Sequence, residues 1–510
     1  MKGLYWSMLF LLLGQFCLGK DNTVPGRDSL FCGELPIDRL EKGYRFNPAA
    51  FGWLEQKKKS RLSFRFRTDD AKTFYSQFDG DKGNLYRAEA LGYGVEKGKF
   101  MYSGIAAWES GLRRNTRYTD VRDERLLGPY LVADSLGGNY YHELYRLGGS
   151  AALYGKNIVY GLRADYRGTV AYRKADPRPK NTISELQLNP GIVIGMKKWD
   201  LGLFLDYIFY KQHLTIRIEE SSRKDYFYLL RGFGLYDYSF SGIESSFRRY
   251  YRSHSYGGGV QLRQQKKYGG SFMLRYDRRK MEVEEGDLRT PFLLKEGTVA
   301  AGVNWRFRLK ETAVLLLEAE GEYMSQTGLE KSYEKTVTDT ATGVYVWRVL
   351  SESDKYERET VSGNISMVFQ HTPSGKTAYW YGLQVIGKDD RERYLYPDYS
   401  QRITGIKGVV SGGMIHRFKR RKLYLDLAGG MYRTLKSDLN APPAEETASD
   451  FWVREYEFRK RNFYELKVDL AYHWPLKGQT SMAVEAGGKY ARSAGGIYRW
   501  GIETGLALFF

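Results

Sequence analysis

Cysteine and proline are scarce in this chain, which contains two cysteines and 13 prolines among 510 residues. Cys17 lies in an apolar N-terminal stretch, and Cys32 is the second cysteine. If that stretch is removed on export, one cysteine remains. A single cysteine excludes an intramolecular disulfide and a metal cluster held by cysteines alone.

Long apolar runs are absent beyond the N-terminus. The mean hydropathy is −0.52, and the longest later runs, such as 313–317, contain only a few residues. A transmembrane helix needs roughly 20 consecutive apolar residues. Because only helices and closed barrels satisfy their backbone polar groups in lipid, any membrane-spanning part must be a β-barrel.

Glycine and tyrosine are abundant, with 56 and 42 residues, and the formal net charge is +19. Aromatic side chains fit the pleated surface of a sheet. The charge is spread along the chain, which favours basic loops facing acidic lipid headgroups or lipopolysaccharide. An anion-selective lumen is the alternative, and binding of nucleic acid is disfavoured.

The N-terminal residues predict an export signal. Lys2 precedes an apolar run from Leu4 to Leu18, and polar residues begin at Asp21. This pattern is typical of a secretory signal peptide, which we assign to residues 1–19, with a membrane anchor as the alternative. Residues 20–58 are predicted to be a periplasmic lead-in, and residues 59–510 are predicted to form the barrel.

Apolar and polar residues alternate with period two in many segments. Along 158–173, tyrosines and aliphatic residues alternate with Arg163, Asp165 and Arg167. A transmembrane strand shows one face to lipid and the other to the lumen, so these three charged residues are predicted to face the lumen. In 298–323 the same pattern places further charged residues on the lumen face, namely Arg306, Arg308, Glu318, Glu320 and Glu322. Those arginines are predicted to lie opposite the glutamates across a hairpin.

The chain ends on an amphipathic strand without a tail. Its apolar face includes aromatic and aliphatic residues that together predict a barrel-assembly signal, namely Tyr498, Trp500, Leu506, Leu508 and Phe510. This ending resembles the terminal strand of bacterial outer-membrane barrels. The resemblance implies that the barrel-assembly machinery reads the last aromatic residue.

Turn signals alternate between short and long connections. Outer-membrane barrels have short periplasmic turns and long extracellular loops, so the predicted fold is an all-β transmembrane antiparallel barrel of about 18 strands, in a range of about 16 to 20. A hairpin within 226–250 would raise the count to about 20. Long loops are predicted near 110–142, 174–182, 214–254, 284–294, 326–358, 390–402 and 435–460. The first contains Gly128-Pro129-Tyr130 and is a candidate to fold inward as a constriction.

Three stretches give the chain a family resemblance. They are the segment from Gly43 to Ala50, the segment from Tyr172 to Asn181, and the short runs Pro129-Tyr130 and Glu143-Leu144-Tyr145. In these stretches the chain resembles a Bacteroidota family of outer-membrane barrel proteins of unestablished function. That resemblance implies a lineage and a fold, and it brings no catalytic residues.

Motifs for catalysis or cofactor binding are missing. Ser374-Gly375-Lys376-Thr377 resembles the end of a phosphate loop, but Gln370 replaces the first glycine. None of the six histidines has metal-site spacing. We predict no enzyme activity, cofactor or metal. An outer-membrane hydrolase is the minor alternative, and it would use rim histidines, for which the candidates are His142, His213 and His254.

The leading functional hypothesis is a channel or accessory protein for solute uptake across the outer membrane of a Gram-negative bacterium. The alternative is a non-conducting barrel that anchors or supports a cell-surface protein complex, and an open or closed lumen would distinguish the two. Expected partners are outer-membrane lipid, lipopolysaccharide and the barrel-assembly machinery, with a surface lipoprotein or a TonB-dependent receptor as further candidates. No nucleic-acid partner is expected.

Overall fold

The computed structural model describes residues 46–53, 59–73, 75–96, 100–219, 226–240, 246–266, 268–286, 289–339, 344–441, 447–476, 478 and 480–510. The predicted signal peptide and most of the predicted lead-in lie outside these residues. Within them no helix is both long enough and apolar enough to cross a membrane.

Strands dominate the described residues. In chain order they are β1 (Lys59–Lys72), β2 (Lys82–Glu96), β3 (Phe100–Thr116), β4 (Val132–Ala133), β5 (Gly138–Tyr154), β6 (Ile158–Arg173), β7 (Arg178–Gly195), β8 (Trp199–Arg217), β9 (Tyr226–Gly232), β10 (Leu235–Phe240), β11 (Ser246–Gln264), β12 (Gly270–Glu285), β13 (Phe292–Lys310), β14 (Ala313–Asp339), β15 (Val344–Ser374), β16 (Thr377–Tyr394), β17 (Tyr399–Phe418), β18 (Arg421–Asn440), β19 (Phe463–Pro475), β20 (Ser481–Ser493) and β21 (Tyr498–Phe509). The helices are α1 (Glu124–Leu127), α2 (Thr447–Arg459) and the 3-10 turns Pro48–Trp53 and Ala494–Gly496.

Eighteen of these strands form one antiparallel sheet that closes on itself. The closing pair joins β1 to β21, with Arg61 opposite Phe509. The backbone amide of Ser60 donates to the Phe510 carbonyl at 3.2 Å, and that of Phe510 donates back at 3.0 Å. The predicted transmembrane barrel of 18 strands is therefore confirmed.

The remaining three strands form a small separate sheet in the order β10–β9–β4. The segment 226–240 is thus a hairpin, but β9 and β10 do not enter the barrel wall. This resolves the open choice for 226–250 and keeps the barrel at 18 strands. The wall resumes with β11, which pairs directly with β8.

Three of the predicted long loops are wrong. Strand pairing continues through most of 326–358, where β14 and β15 remain paired up to Asp339 and Val344. The segments 174–182 and 390–402 are also largely strand. Their sequences lack the apolar alternation because lipid no longer covers one face there. Backbone pairing does not depend on that alternation, so the strands continue.

Large apolar side chains cover the outer face of the barrel. Along β8, the exposed Leu203 and Leu205 alternate with the buried Phe204 and Asp206. Exposed aromatic residues lie beside the short turns, as Tyr160 and Phe307 do, and again about half-way along the strands, as Tyr145 and Tyr256 do. Two aromatic bands flanking an apolar band are typical of a transmembrane barrel.

The register of the β13–β14 hairpin differs from the prediction. Arg306 lies opposite Leu316, and Arg308 lies opposite Val314. Glu318 faces Asn304 instead of an arginine. The tight turn pairs Lys310 with Ala313, and the register shifts between Arg308 and Lys310. The arginines of β13 and the glutamates of β14 are therefore not directly opposite each other. The predicted direct arginine–glutamate ladder is therefore wrong.

We expect Leu203→Arg to destabilise the barrel by about 2–4 kcal/mol, because it places a cation on the lipid face near the middle of the membrane. Leu435, also exposed but near the outer end of β18, provides the matched control. Leu435→Arg should cost about 1 kcal/mol or less. Reversible denaturant unfolding in lipid bilayers measures both, and equal costs would contradict this orientation.

Candidate functional site

Three connections between barrel strands fold together at the end opposite the short turns. The first is 117–137, which carries α1 and β4; the second is the β9–β10 hairpin; the third carries α2. We call these three segments the plug. Val132 of β4 pairs with Leu229 of β9, and the backbone amide of Leu230 donates to the Leu131 carbonyl at 2.8 Å. The first two segments are therefore joined by backbone hydrogen bonds.

The plug has a hydrophobic core shared with the barrel wall. Buried plug residues include Val121, Leu127, Val132, Phe227, Phe233 and Phe451, and buried wall residues include Ile183, Leu214, Met281, Val283 and Leu294. Phe451 of α2 stacks on Tyr118 with ring centroids 4.7 Å apart. Apolar side chains from separate loops therefore fill the outer mouth of the barrel.

Tyr130 wedges the first plug segment against the wall. Its ring stacks on Phe292 with centroids 4.4 Å apart, and its carbonyl accepts a hydrogen bond from the Tyr251 hydroxyl at 3.0 Å. A Cβ on Gly328 would lie 2.2 Å from the Tyr130 hydroxyl. The wall thus provides a slot for this ring, and the segment with Gly128-Pro129-Tyr130 folds inward as the sequence indicates.

Helix α2 is fixed to the wall by charge. Arg459 pairs with Asp390 and reaches Glu392 at 3.5 Å. Asp390 also accepts two hydrogen bonds from Arg358, each 2.9 Å long. At the other side of the helix, the Ser76 hydroxyl donates to Glu455 at 2.9 Å.

The first plug segment is fixed by a fully buried charged group. Asp120 and Asp134 of this segment are 0% exposed, and Arg173 at the end of β6 is 2% exposed. The Arg173 guanidinium lies 2.6 Å from Asp134 and 3.4 Å from Asp120. It also donates to the Pro177 carbonyl at 2.6 Å. We call Asp120, Asp134 and Arg173 the buried triad.

A polar network continues from the triad along the wall. Asn181 donates to the Asp120 carbonyl at 2.8 Å, and Gln212 donates to Asn181 at 2.6 Å. Further along the plug segment, Asp123 accepts a hydrogen bond from Arg167 at 2.7 Å. Burial opposes the charged form of Asp123, yet the adjacent Arg167 holds the pKa of this carboxyl below its usual value.

A second segment lies on the inner wall toward the short-turn end. The Asn47 amide donates to the carbonyls of Ile192 and Leu203, at 3.2 and 3.4 Å. A Cβ on Gly161 would lie 2.2 Å from the backbone nitrogen of Ala49, and one on Gly191 would lie 2.1 Å from the Asn47 side chain. Paired glycines thus form a groove that seats part of the predicted lead-in inside the barrel.

The predicted lumen-facing charged residues lie in several environments. Arg163 pairs with Asp165 on the face opposite the exposed Tyr160 and Leu162. Arg167 bridges the plug to Glu185 at 3.0 Å. The other members are half-buried or lie at the turn: Arg306, Glu318, Glu320 and Glu322 are half-buried, and the exposed Arg308 lies 3.6 Å from Glu311. Their role in a lumen stays a prediction.

Residues 48–510 match the model of a family of unknown function, DUF6850. The chain belongs to the DUF6850 family. No curated protein matches the sequence of this chain. The Bacteroidota lineage stays a prediction.

Several solved outer-membrane proteins resemble the DUF6850 chain at low identity. The ferric preacinetobactin receptor BauA from Acinetobacter baumannii is 10% identical over 89% of this chain and 80% of its own, with a TM-score of 0.39. The unliganded ferric citrate transporter FecA is 8% identical over 90% and 79%, with a TM-score of 0.39. A FadL homologue from Pseudomonas aeruginosa is 10% identical over 91% and 92%, with a TM-score of 0.33. Superpositions at this level carry no inference about what this chain binds.

The three candidate histidines of the DUF6850 chain do not converge. His142 is buried and lies 3.1 Å from Glu109. His213 stacks on Tyr250, and His254 contacts Tyr207 among residues of the opposite, outer face. A single site built from all three is therefore absent. Among the described residues, no group of three or more acidic, histidine or cysteine side chains could hold a metal ion.

The predicted assembly signal lies on the outer face of β21. Leu506 and Phe510 are exposed, Tyr498, Trp500 and Leu508 are half-buried, and the intervening Ala507 and Phe509 are buried. Recognition of this strand by assembly machinery stays a prediction. Sequence reasoning missed the buried triad of the DUF6850 chain, since Asp120 and Asp134 lie in a segment without periodicity and resemble solvated loop residues.

We expect Gly161→Ala to displace the Asn47–Ala50 segment, because the new Cβ would overlap the backbone of Ala49. Ala50 is fully buried, so Ala50→Cys in a Cys32→Ser background should be protected from a bulky thiol reagent. Labelling should rise when Gly161→Ala is added. Gly429→Ala is the control, since nothing lies within 4 Å of a Cβ there. Unchanged labelling would contradict the seated segment.

Proposed function

We propose that this protein is an outer-membrane transport barrel whose outer mouth is closed at rest by its own plug. The observation that carries the proposal is the hydrophobic core shared by plug and wall. Packed apolar side chains exclude water from this core, which supports closure at that end. Solute passage would then require the plug to move, and the protein would be a gated channel instead of an open porin.

The charged side chains of the wall support passage of polar solutes with weak charge selectivity. Many of them are neutralised in pairs, as in Arg163 with Asp165, and Arg275 with Asp277 at 2.6 Å. An ion-paired lattice presents donors and acceptors without a strong field of one sign. The net charge of +19 would therefore produce only a modest preference for anions.

The protein would reside in the outer membrane of a Gram-negative bacterium. The apolar outer face with two aromatic bands supports this placement, with lipid and lipopolysaccharide as its surroundings. The terminal strand ending at Phe510 would be the part read by the barrel-assembly machinery. The candidate histidines lie on different faces of the wall, so they do not support the hydrolase alternative.

We expect the refolded protein to show no steady conductance in a planar bilayer. Replacing the plug residues 119–133 with a short Gly-Ser linker should produce stable channels, because it removes one side of the hydrophobic core and Asp120 of the buried triad. The control removes a similar length from the β14–β15 hairpin, outside the mouth, and should stay silent. Steady conductance of the unmodified protein would contradict a closed mouth.

A non-conducting barrel that supports a surface complex is the second candidate function. It is favoured by the long β14–β15 hairpin. Strand β14 stops pairing with β13 at the pair Phe292–Glu330, and β15 stops pairing with β16 at the pair Tyr356–Tyr394. Beyond those positions, β14 and β15 pair only with each other among the described residues, apart from single backbone hydrogen bonds from Lys331 to the Pro291 carbonyl and from Leu395 to the Lys355 carbonyl. We call this ribbon, 331–339 with 344–355, the arm.

The arm exposes apolar side chains beyond the membrane band. Among them Leu350 is 69% exposed and Val346 is 51% exposed. Cations lie over its rings, with Lys335 3.9 Å from the Tyr345 centroid and Arg289 4.3 Å from that of Trp347. A two-stranded ribbon is only marginally stable in water, so a protein partner covering the arm would stabilise it.

We expect a stable partner to co-purify with the intact protein in mild detergent if the scaffold function holds. Replacing residues 332–353 with a short turn should abolish co-purification while the barrel still folds. The plug-shortened variant keeps the arm and should retain the partner. Loss of the partner from both variants, or from neither, would count against a docking role for the arm.

A further inference from the structure

We propose that Asp120 and Asp134 share one proton that keeps the first plug segment locked, and that removal of this proton in alkaline solution releases the segment. The consequence for conductance rests on the proposed gated channel, whereas the proton itself is inferred from the buried triad alone. The site takes a proton from water and returns it to water or hydroxide, with no other reactant.

The donors available to the two carboxylates are unequal. Asp134 accepts hydrogen bonds from the backbone amides of Leu136 and Gly137, both 2.8 Å long, and it has the shorter contact with Arg173. Among the described residues, no group donates a hydrogen bond to either carboxylate oxygen of Asp120, although both oxygens are buried. A buried carboxylate without a donor is costly when charged and much less so when protonated.

The charge count leads to the same conclusion. Two carboxylates face one guanidinium, and all three groups are excluded from water. With both acids ionised the triad carries one uncompensated negative charge. With one proton shared between Asp120 and Asp134 it is neutral, and Asp120 gains a hydrogen bond to its neighbour.

The remaining groups around Asp120 do not neutralise that charge. Asp134 and Arg122 belong to the plug segment, and Arg122 lies near Tyr140. The barrel strands contribute Tyr140 from β5, Arg173 from β6, the neutral Asn181 from β7 and Tyr251 from β11. Burial, together with the charge of Asp134, raises the pKa of Asp120 well above its usual range, and Arg173 only partly offsets this.

The direction of the pH dependence follows from this raised pKa. A group that binds its proton more tightly in the locked plug stabilises the lock at low pH. That stabilisation is lost as pH rises through the pKa of Asp120 in the locked state. Between the ordinary pKa that Asp120 has in the released plug and its raised pKa in the locked plug, the equilibrium constant for locking should fall roughly tenfold per pH unit, and above the raised pKa it should level off.

Hydrogen–deuterium exchange of the folded protein in lipid, measured from about pH 5 to about pH 10, tests the lock directly. Protection factors, corrected for the intrinsic pH dependence of exchange, should fall in 118–137 at alkaline pH and stay constant in β16. Asp120→Asn remains neutral and can donate to Asp134, so it should remove the alkaline loss. Asp134→Asn leaves one acid for one guanidinium and should do the same.

Asp123→Asn is the matched control, because Asp123 belongs to the same segment but is already ionised beside Arg167. It should keep the alkaline transition. Constant protection in the unmodified protein, or a transition that survives Asp120→Asn, would overturn the shared proton. Conductance of the same samples separates the two proposals: alkaline loss of protection without conductance sinks the gated channel and leaves the lock intact.

Discussion

Closure of the backbone hydrogen-bond ladder is the constraint on which the whole structure depends. Every amide and carbonyl that crosses lipid needs a partner, and the β1–β21 pair supplies the last set. Closure also fixes which side chains face inward, because residues alternate across each strand. Once the ring is closed, its polar inner face must be satisfied by water, by ion pairs or by other parts of the chain.

Other parts of the chain provide partners for the inner face of the barrel at two levels. At the outer mouth, the plug brings apolar rings and the buried triad against the wall. Toward the short-turn end, Asn47 supplies its amide to wall carbonyls beside paired glycines. Many charged wall residues between these levels are paired with one another. Functional freedom therefore belongs to the segments that fill the barrel, whereas the wall is a fixed frame.

The sequence predicted the wall and largely missed what fills it. Alternation across 158–173, the ending at Phe510 and the short turns predicted the strand number, because lipid imposes a periodic pattern. It did not predict that β14 and β15 extend beyond lipid, since no such pattern is imposed there. The triad escaped prediction because Asp120 and Asp134 meet Arg173 only through long-range folding, and the inward fold of Tyr130 was indicated only by its turn.

The composition of the plug has a consequence for the order of folding. Tyr118 and Phe451 stack on each other, yet most of the barrel lies between them in the chain. We expect their contact to form late, because the entropy of closing so long a loop is offset only once the intervening strands of the wall are in place. On this ground we expect the ring of strands to form before its mouth is filled. Until then the apolar rings of the plug are exposed to water, so the ring of strands must be stable without the plug.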